Sequence, residues 1–341
     1  MTELLHILTI LAIFTLASCI ATAMLRKILI KKSILDNPNE RSSHTIPTPR
    51  GGGLALMSIL LLGWAGYGAS STTPLPGFWY IFAGSIALMS ISWLDDLKNL
   101  SPKSRLLIQV IVVCASLWAI THDGQTIKLF PEIIPQWLDY LFIALSWIWF
   151  INLYNFMDGI DGITGVETST ITLGLILIAF YYSWQPDALY LPLFVLAATL
   201  GFLIWNWEPA AIFLGDVGSV PLGYILGWFM IFLITKGMWA AAFILPLYYL
   251  CDATLTLIKR AIRKQRIWEA HKEHYYQIGA QNGLSHKSVS LVILACNTLL
   301  VALALFLSAD YPWYSLMISL IIVSSTIKLL KTNNTGKKNQ N

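Results

Sequence analysis

Asn155-Phe156-Met157-Asp158-Gly159-Ile160-Asp161-Gly162-Ile163-Thr164-Gly165 puts a carboxamide and two carboxylates into a largely apolar chain. Apolar runs flank it on both sides, over about 137–155 and 165–183. A membrane-spanning helix needs ~20 mainly apolar residues. The stretch therefore reads as a polar junction between two spans, and that reading decides the fold class. Asn155, Asp158 and Asp161 recur every third residue, so on a helix they share one face. Gly159, Gly162 and Gly165 weaken a helix and allow close backbone approach. The combination suits a membrane helix that opens onto a polar site. An ordinary polar turn is the plainer alternative.

Composition agrees. The chain has 341 residues, of which 56% are hydrophobic and 12% charged. A soluble domain carries roughly twice that charge. Mean hydropathy is positive. The expectation is an all-α polytopic membrane protein: a single integral-membrane domain over residues 1–341, with 330–341 as a disordered tail. Eleven spans are expected, at about 3–25, 51–69, 78–94, 104–121, 137–155, 165–183, 189–206, 217–234, 239–258, 289–308 and 313–330. Ser219 and Pro221 make the eighth the least regular. Cys19, Cys114, Cys251 and Cys296 lie in apolar runs without metal-ligand spacing, which suits small apolar fillers. Leu16-Ala17-Ser18-Cys19 imitates a lipoprotein processing box. No Lys or Arg precedes it, so an uncleaved first span is expected.

Orientation follows from Lys and Arg. With the N-terminus outside, the inner loops are 26–50, 95–105, 156–164, 207–216 and 259–288. Together with the C-terminal end they carry 20 of the 22 basic residues. The positive-inside rule then predicts a periplasmic N-terminus and a cytoplasmic C-terminus. The inner loops are also rich in Asp, Asn, Gly and His, so the functional site is expected on the cytoplasmic face. The outer connectors are short.

Asp95 and Asp96 follow the third span directly. Adjacent carboxylates repel and need a cation or a proton. A divalent metal, a phosphate-bound metal and a general-base role each account for them, as does a solvated helix cap. Asp216 stands between Gly215 and Gly218 where the eighth span begins. Amides at that helix start suit an anion, and the carboxylate suits Mg²⁺, which takes one or two carboxylates beside phosphate oxygens and water. A plain N-cap is the alternative. Asn206 closes the seventh span, as a cap or a substrate contact. Asp252 lies within the ninth, where charge is costly, and pairing with Lys259 or Arg260 would make it structural.

The last large inner loop contains His271-Lys272-Glu273-His274-Tyr275-Tyr276-Gln277. On a helix His271 and His274 face the same way, and they suit phosphate contacts or proton transfer. The first inner loop ends in Pro47-Thr48-Pro49-Arg50-Gly51-Gly52-Gly53. Its glycines let backbone N–H groups face a ligand, and Arg41 and Arg50 add positive charge. Acids, glycine turns and basic groups in one membrane plane describe a site for a metal and a diphosphate.

These segments, in this order, resemble the polyprenyl-phosphate N-acetylhexosamine-1-phosphate transferase superfamily. The resemblance runs from about Asp36 to Gln277. It rests on Pro47 to Gly53, Asp95-Asp96, Asn155 to Gly162 and Phe213 to Ser219. The resemblance implies transfer of N-acetylhexosamine 1-phosphate from a UDP-N-acetylhexosamine to undecaprenyl phosphate, with release of UMP. It implies Mg²⁺ as cofactor, with Mn²⁺ as a substitute, in the bacterial inner membrane. Catalytic roles fall by this resemblance on Asp95, Asp96, Asp158, Asp161, His271 and His274. Substrate contacts fall on Arg50, Asn152, Asn155, Asp161, Asn206 and Lys272, and the metal site on Asp216 and Asn155.

Two departures narrow the branch. The acid pair reads Asp-Asp-x-x-Asn, without a third acid. The His segment lacks the adjacent His pair of the phospho-N-acetylmuramoyl-pentapeptide transferases, the alternative within the family. The resemblance is stronger to the branch that initiates O-antigen and related surface polysaccharides. Nucleic acid is not an expected partner, and an oligomer is compatible with the sequence. A lipid or ion transporter is the rival of another class. It predicts acids at mid-span and internal repeats, whereas nearly all the acids here sit at the inner boundary. An aromatic prenyltransferase needs two Asp-rich motifs of another spacing, which are absent.

Overall fold

The computed structural model describes residues 2–38, 46–71, 74–98, 100–129, 133–266 and 271–332. Arg41 and residues 333–341 of the expected tail lie outside them. The described chain is a helical bundle. Its helices are α1 (Thr2–Lys31), α2 (Gly53–Ser70), α3 (Phe78–Lys98), α4 (Pro102–His122), α5 (Gln136–Phe156), α6 (Ile163–Tyr181), α7 (Pro186–Asn206) and α8 (Asp216–Thr235). There follow α9 (Trp239–Ile244), α10 (Leu247–Ile262), α11 (Tyr275–Gln281), α12 (His286–Phe306) and α13 (Pro312–Thr332). Two residue pairs, Leu35 with Pro49 and Asp36 with Thr48, join β1 (Leu35–Asp36) to β2 (Thr48–Pro49) in an antiparallel ribbon.

Ten helices are long and apolar enough to cross a membrane. They match ten of the eleven expected spans. The ninth segment differs: its helix breaks between Ile244 and Leu247, at Leu245-Pro246. Pro246 brings no N–H to the helical ladder. The segment therefore becomes the short α9 and the amphipathic α10, which turns Asp252, Thr256 and Arg260 inward and leaves Leu255, Ile258 and Ile262 exposed.

The helix expected to be least regular is the most enclosed. α8 packs among α2, α3, α5 and α6 and is apolar all round, as a fully buried helix should be. Tyr224 stacks on Trp147 with ring centroids 5.1 Å apart, and the Trp147 indole N–H donates to the Tyr224 carbonyl at 2.9 Å. Without a hydrophobic drive between helices in lipid, small residues and polar contacts hold them. Gly53 and Gly218 show this: a Cβ on Gly53 would lie 2.3 Å from the Gly218 Cα. The starts of α2 and α8 therefore touch backbone to backbone. Between α1 and α7, the Ser18 hydroxyl donates to the Ala198 carbonyl at 2.6 Å.

The bundle has two distinct ends. At one, Asp187 accepts from Tyr67 and Ser71, and Asp123 accepts from the Gly77 amide. At the other, the loops carrying Arg50, Asp95, Asp158 and Asp216 meet. Arg26 near the end of α1 donates to the Ala211 carbonyl there, and Asn282 donates to the Lys331 carbonyl at the end of α13. The start of α1 and the end of α13 thus lie at opposite ends of the bundle.

Candidate active site

Side chains from the loop before α2 and from α3, α4 and α5 converge on Asp216, the first residue of α8. Arg50 precedes α2 and donates through Nη2 to Asp216 Oδ1 at 2.7 Å. The same nitrogen lies 3.2 Å from Asp96 Oδ1 in the last turn of α3. Arg105, in the first turn of α4, reaches Asp95 Oδ2 at 2.8 Å and Asp216 Oδ2 at 3.4 Å. Asn155 Nδ2 in the last turn of α5 is 3.5 Å from Asp216 Oδ2. Its Oδ1 accepts from the Ser219 hydroxyl at 2.6 Å. The cation demanded by the Asp95–Asp96 pair is thus met by two guanidiniums. Arg105 was not singled out from the sequence; its place in the turn following the acid pair was the available signal.

Three carboxylates share two guanidiniums, which leaves a net negative charge. The Asp96 carboxylate also stands against the Val217 N–H, yet its Oδ2 is buried with no hydrogen-bond partner. An orphaned buried carboxylate oxygen beside the Asp216 carboxylate fits a hard, oxygen-seeking cation such as Mg²⁺. No three His, Cys, Asp or Glu side chains stand in ready metal-ligand geometry among the described residues.

The glycine triplet acts differently from the expectation. The Gly51 and Gly52 amides donate to the Phe213 carbonyl at 3.1 and 2.8 Å, and Gly53 donates to Leu214 at 2.9 Å. These N–H groups do not face a ligand. They bind the loop before α2 to the loop before α8, and so place Arg50 beside Asp216. At the start of α8 the Gly218 and Ser219 amides likewise donate within the chain, to the Gly215 carbonyl at 2.9 and 3.1 Å.

The opening stretch is not one helical face. α5 stops at Phe156 and α6 starts at Ile163, with Gly162 at φ +78°, a left-handed conformation that favours glycine. Asp158 and Asp161 sit on the turn between. Burial first, and then Asp216 and Asp161 as negative neighbours, push the Asp158 carboxyl up to about 6, against the Thr164 hydroxyl and Arg50. Asp161 Oδ2 accepts from the Ala210 amide at 3.0 Å, and its Oδ1 is 3.4 Å from His286 Nδ1. Asn206 is buried and both ends of its amide engage backbone: Oδ1 accepts from Gly162 N–H and Nδ2 donates to Ile212, each at 3.0 Å. It ties the Asp161 turn to the loop before α8. Asn152, one turn deeper on α5, donates to Gln109 Oε1 at 2.7 Å.

His271 and His274 precede α11 instead of sharing a helix face. They still meet, with ring centroids 4.8 Å apart. Burial, and then His274 and Arg260, lower the His271 pKa to about 4, so its ring is neutral at physiological pH. Asp252 is structural, but not through Lys259 or Arg260. It accepts from the Tyr275 and Tyr276 amides at 2.8 and 3.0 Å and from the Tyr248 hydroxyl. Arg260 pairs instead with Glu273. Asp252 thereby caps α11, which sends Tyr276 across to the Phe156 carbonyl at 3.1 Å. Gly159 makes room for that hydroxyl: a Cβ there would lie 2.2 Å from Tyr276 Oη.

Beside this turn lies a polar cavity of about 380 Å³, lined by Glu208, Lys272, Gln277, Gln281, Ser285 and His286. Gln277 adjoins Gly159 and His286 adjoins Asp161, so the cavity opens beside the acidic turn. Of these, only Lys272 was an expected site residue.

Residues 78–234 match the profile of glycosyl transferase family 4. Over 310 residues the chain is 30% identical to a probable undecaprenyl-phosphate N-acetylglucosaminyl 1-phosphate transferase of Bacillus subtilis, covering 89% of this chain and 86% of the relative. A phospho-N-acetylmuramoyl-pentapeptide-transferase of Streptococcus pneumoniae is 28% identical over 207 residues, 57% of this chain and 62% of the relative. The corresponding protein of Streptococcus agalactiae is 28% identical over 242 residues, 64% of this chain and 69% of the relative.

Proposed function

Since the chain belongs to glycosyl transferase family 4, we propose that it transfers N-acetylhexosamine 1-phosphate to undecaprenyl phosphate in the bacterial inner membrane. The donor is a UDP-N-acetylhexosamine and the leaving group is UMP. The observation that carries this reading is the convergence of Asp95, Asp96, Asp216 and Asn155 with Arg50 and Arg105 at one end of a membrane bundle. The basic loops at that end support placing it in the cytoplasm, where UDP-sugars reside.

In the reaction, an oxygen of the lipid phosphate bonds to the β-phosphorus of the donor. The bond from that phosphorus to the bridging oxygen breaks, and UMP leaves with the electron pair. Two anions must approach, so the protein's task is charge neutralisation and alignment. Arg50 and Arg105, freed from their carboxylates by incoming phosphates, hold phosphoryl oxygens. Asp95 and Asp96 stand at the membrane boundary where the lipid phosphate arrives, and one of them accepts its proton if it enters protonated. Direct attack suffices, because a phosphate monoester is already a competent nucleophile at neutral pH. Asp216 and Asn155, with the orphaned oxygen of Asp96, would hold Mg²⁺. When bound, it supplies polarisation of the diphosphate oxygens.

Asp158 and Asp161 form the nucleotide wall, and the polar cavity beside them takes the sugar. Its amides, imidazole and carboxylate suit hydroxyl and acetamido groups. N-acetylglucosamine is the sugar favoured by the match along most of the chain to the Bacillus subtilis relative. The product would initiate O-antigen or a related surface polysaccharide. Release of UMP from UDP-N-acetylglucosamine by the purified protein, dependent on undecaprenyl phosphate and Mg²⁺, tests the reading.

A further inference from the structure

Glu167 lies in the second turn of α6, fully buried within the bundle. The phosphoryl-transfer site does not use it. Its Oε2 accepts from Asn297 Nδ2 on α12 at 2.6 Å. Both remaining oxygens of the pair, Glu167 Oε1 and Asn297 Oδ1, are buried without a hydrogen-bond partner.

Two orphaned acceptors on the two members of one pair have a common remedy. A carboxylic acid and a primary amide close a ring of two hydrogen bonds when the acid is protonated. The acid carbonyl accepts from the amide N–H, and the acid O–H donates to the amide oxygen. One proton on Glu167 therefore satisfies both orphans. Exchanging the amide nitrogen and oxygen does not change the outcome. Two oxygens would then face each other at 2.6 Å, the separation of an O–H···O bond, and a proton must lie between them.

Charge considerations agree. Among the described residues, the ionisable groups that feel the Glu167 charge are Tyr154 on α5, Tyr248 and Tyr249 on α10, and Cys296 on α12. None is a cation. A carboxylate without a counter-charge inside a membrane bundle is expensive, whereas a neutral acid with both bonds made is not.

The pair belongs to a polar seam along one face of α12. His286 contacts Asp161, Ser290 donates to the Asp161 carbonyl at 3.0 Å, and Asn297 meets both Glu167 and Thr170. These positions stand four and seven residues apart along α12, which is helical spacing on one face. On α6, Thr164 lies one turn before Glu167 and donates to Asp158. We infer that Glu167 is a permanently protonated positioning residue, whose hydrogen-bonded ring with Asn297 fixes the start of α6, and with it the Asp158–Asp161 turn, against α12.

Three forms of the full-length protein in detergent test this: wild type, E167Q and E167A. Gln reproduces the ring, with an N–H in place of the acid O–H. E167Q should keep the wild-type melting temperature and at least about half of the UMP-release rate. E167A leaves the Asn297 amide with Thr170 alone and its oxygen still unpartnered, and should melt several degrees lower, with a raised KM for the nucleotide sugar. The wild-type minus E167Q infrared difference at pH 7.5 should contain the C=O stretch of a protonated carboxylic acid. Three results would overturn the inference: a carboxylate band in that difference, an E167Q protein as unstable as E167A, or a stable E167Q protein without activity. The infrared result does not depend on the substrate, so it stands apart from any failure of the proposed reaction.

Discussion

Arg50 joins two carboxylates from different helices: its Nη2 lies 2.7 Å from Asp216 and 3.2 Å from Asp96. A guanidinium between two acids occupies the place a divalent cation would neutralise. Removing it should make the acids a better cation site and a poorer diphosphate site. R50A is expected to bind Mn²⁺ about 2–5-fold more tightly without substrate. Its UMP-release rate should fall by about 10²-fold or more. Mn²⁺ binding followed by electron paramagnetic resonance checks the first part; weaker binding would mean that Arg50 does not compete with the ion.

The Asp158 carboxyl is pushed from its ordinary 3.8 up to about 6, chiefly by burial. The fold then binds this proton more tightly than the unfolded chain does. The stability it contributes is full below pH 3.8 and is lost as pH rises through about 6. D158N should flatten this part of a melting-temperature profile recorded without metal, and should melt higher than wild type at pH 7.5. An unchanged profile would show that Asp158 is already compensated.

Gly159 gives space to the Tyr276 hydroxyl, which a Cβ would meet at 2.2 Å. G159A should push Tyr276 off the Phe156 carbonyl and shift the acidic turn, lowering activity on the order of 10–100-fold. Y276F removes the clashing oxygen, so G159A/Y276F should recover part of the loss. A double variant no better than G159A would place the cause elsewhere.

Gln277 lines the cavity assigned to the sugar. Q277A should raise the KM for the UDP-sugar about 2–10-fold and change the preference between UDP-GlcNAc and UDP-GalNAc. Inhibition by UMP, which lacks the sugar, should stay as in wild type. Weakened UMP inhibition would mean that the cavity serves the nucleotide instead.

The sequence made the layered plan readable because length and apolarity alone define a membrane span. Asp95, Asp96, Asn155 and Asp216 stood out for a related reason: a carboxylate or a carboxamide at the end of an apolar run must face something polar. Partnership was less legible. Arg50 and Asp216 are 166 residues apart in sequence, and no spacing rule connects them. The Gly51–Gly53 amides looked free because their acceptors, Phe213 and Leu214, come from another loop. Asn206 read as a cap or a substrate contact, and its backbone partners, Gly162 and Ile212, come from segments on either side that no spacing rule names. His271 and His274 do meet, but through a stack in the bent segment before α11 rather than along a helix. The break in the ninth segment was foreshadowed by Pro246, which the apolar run concealed.

The central claim is a phosphoryl transfer centred on Asp216 that needs both a UDP-sugar and a lipid phosphate. Its most direct measurement is UMP release by the purified protein with UDP-N-acetylglucosamine, undecaprenyl phosphate and Mg²⁺. Each component should be omitted in turn, and D216N run in parallel. The account predicts UMP only when all three are present, and a loss of about 10³-fold in a folded D216N protein. No UMP from any UDP-N-acetylhexosamine, or a D216N protein with wild-type activity, would contradict it.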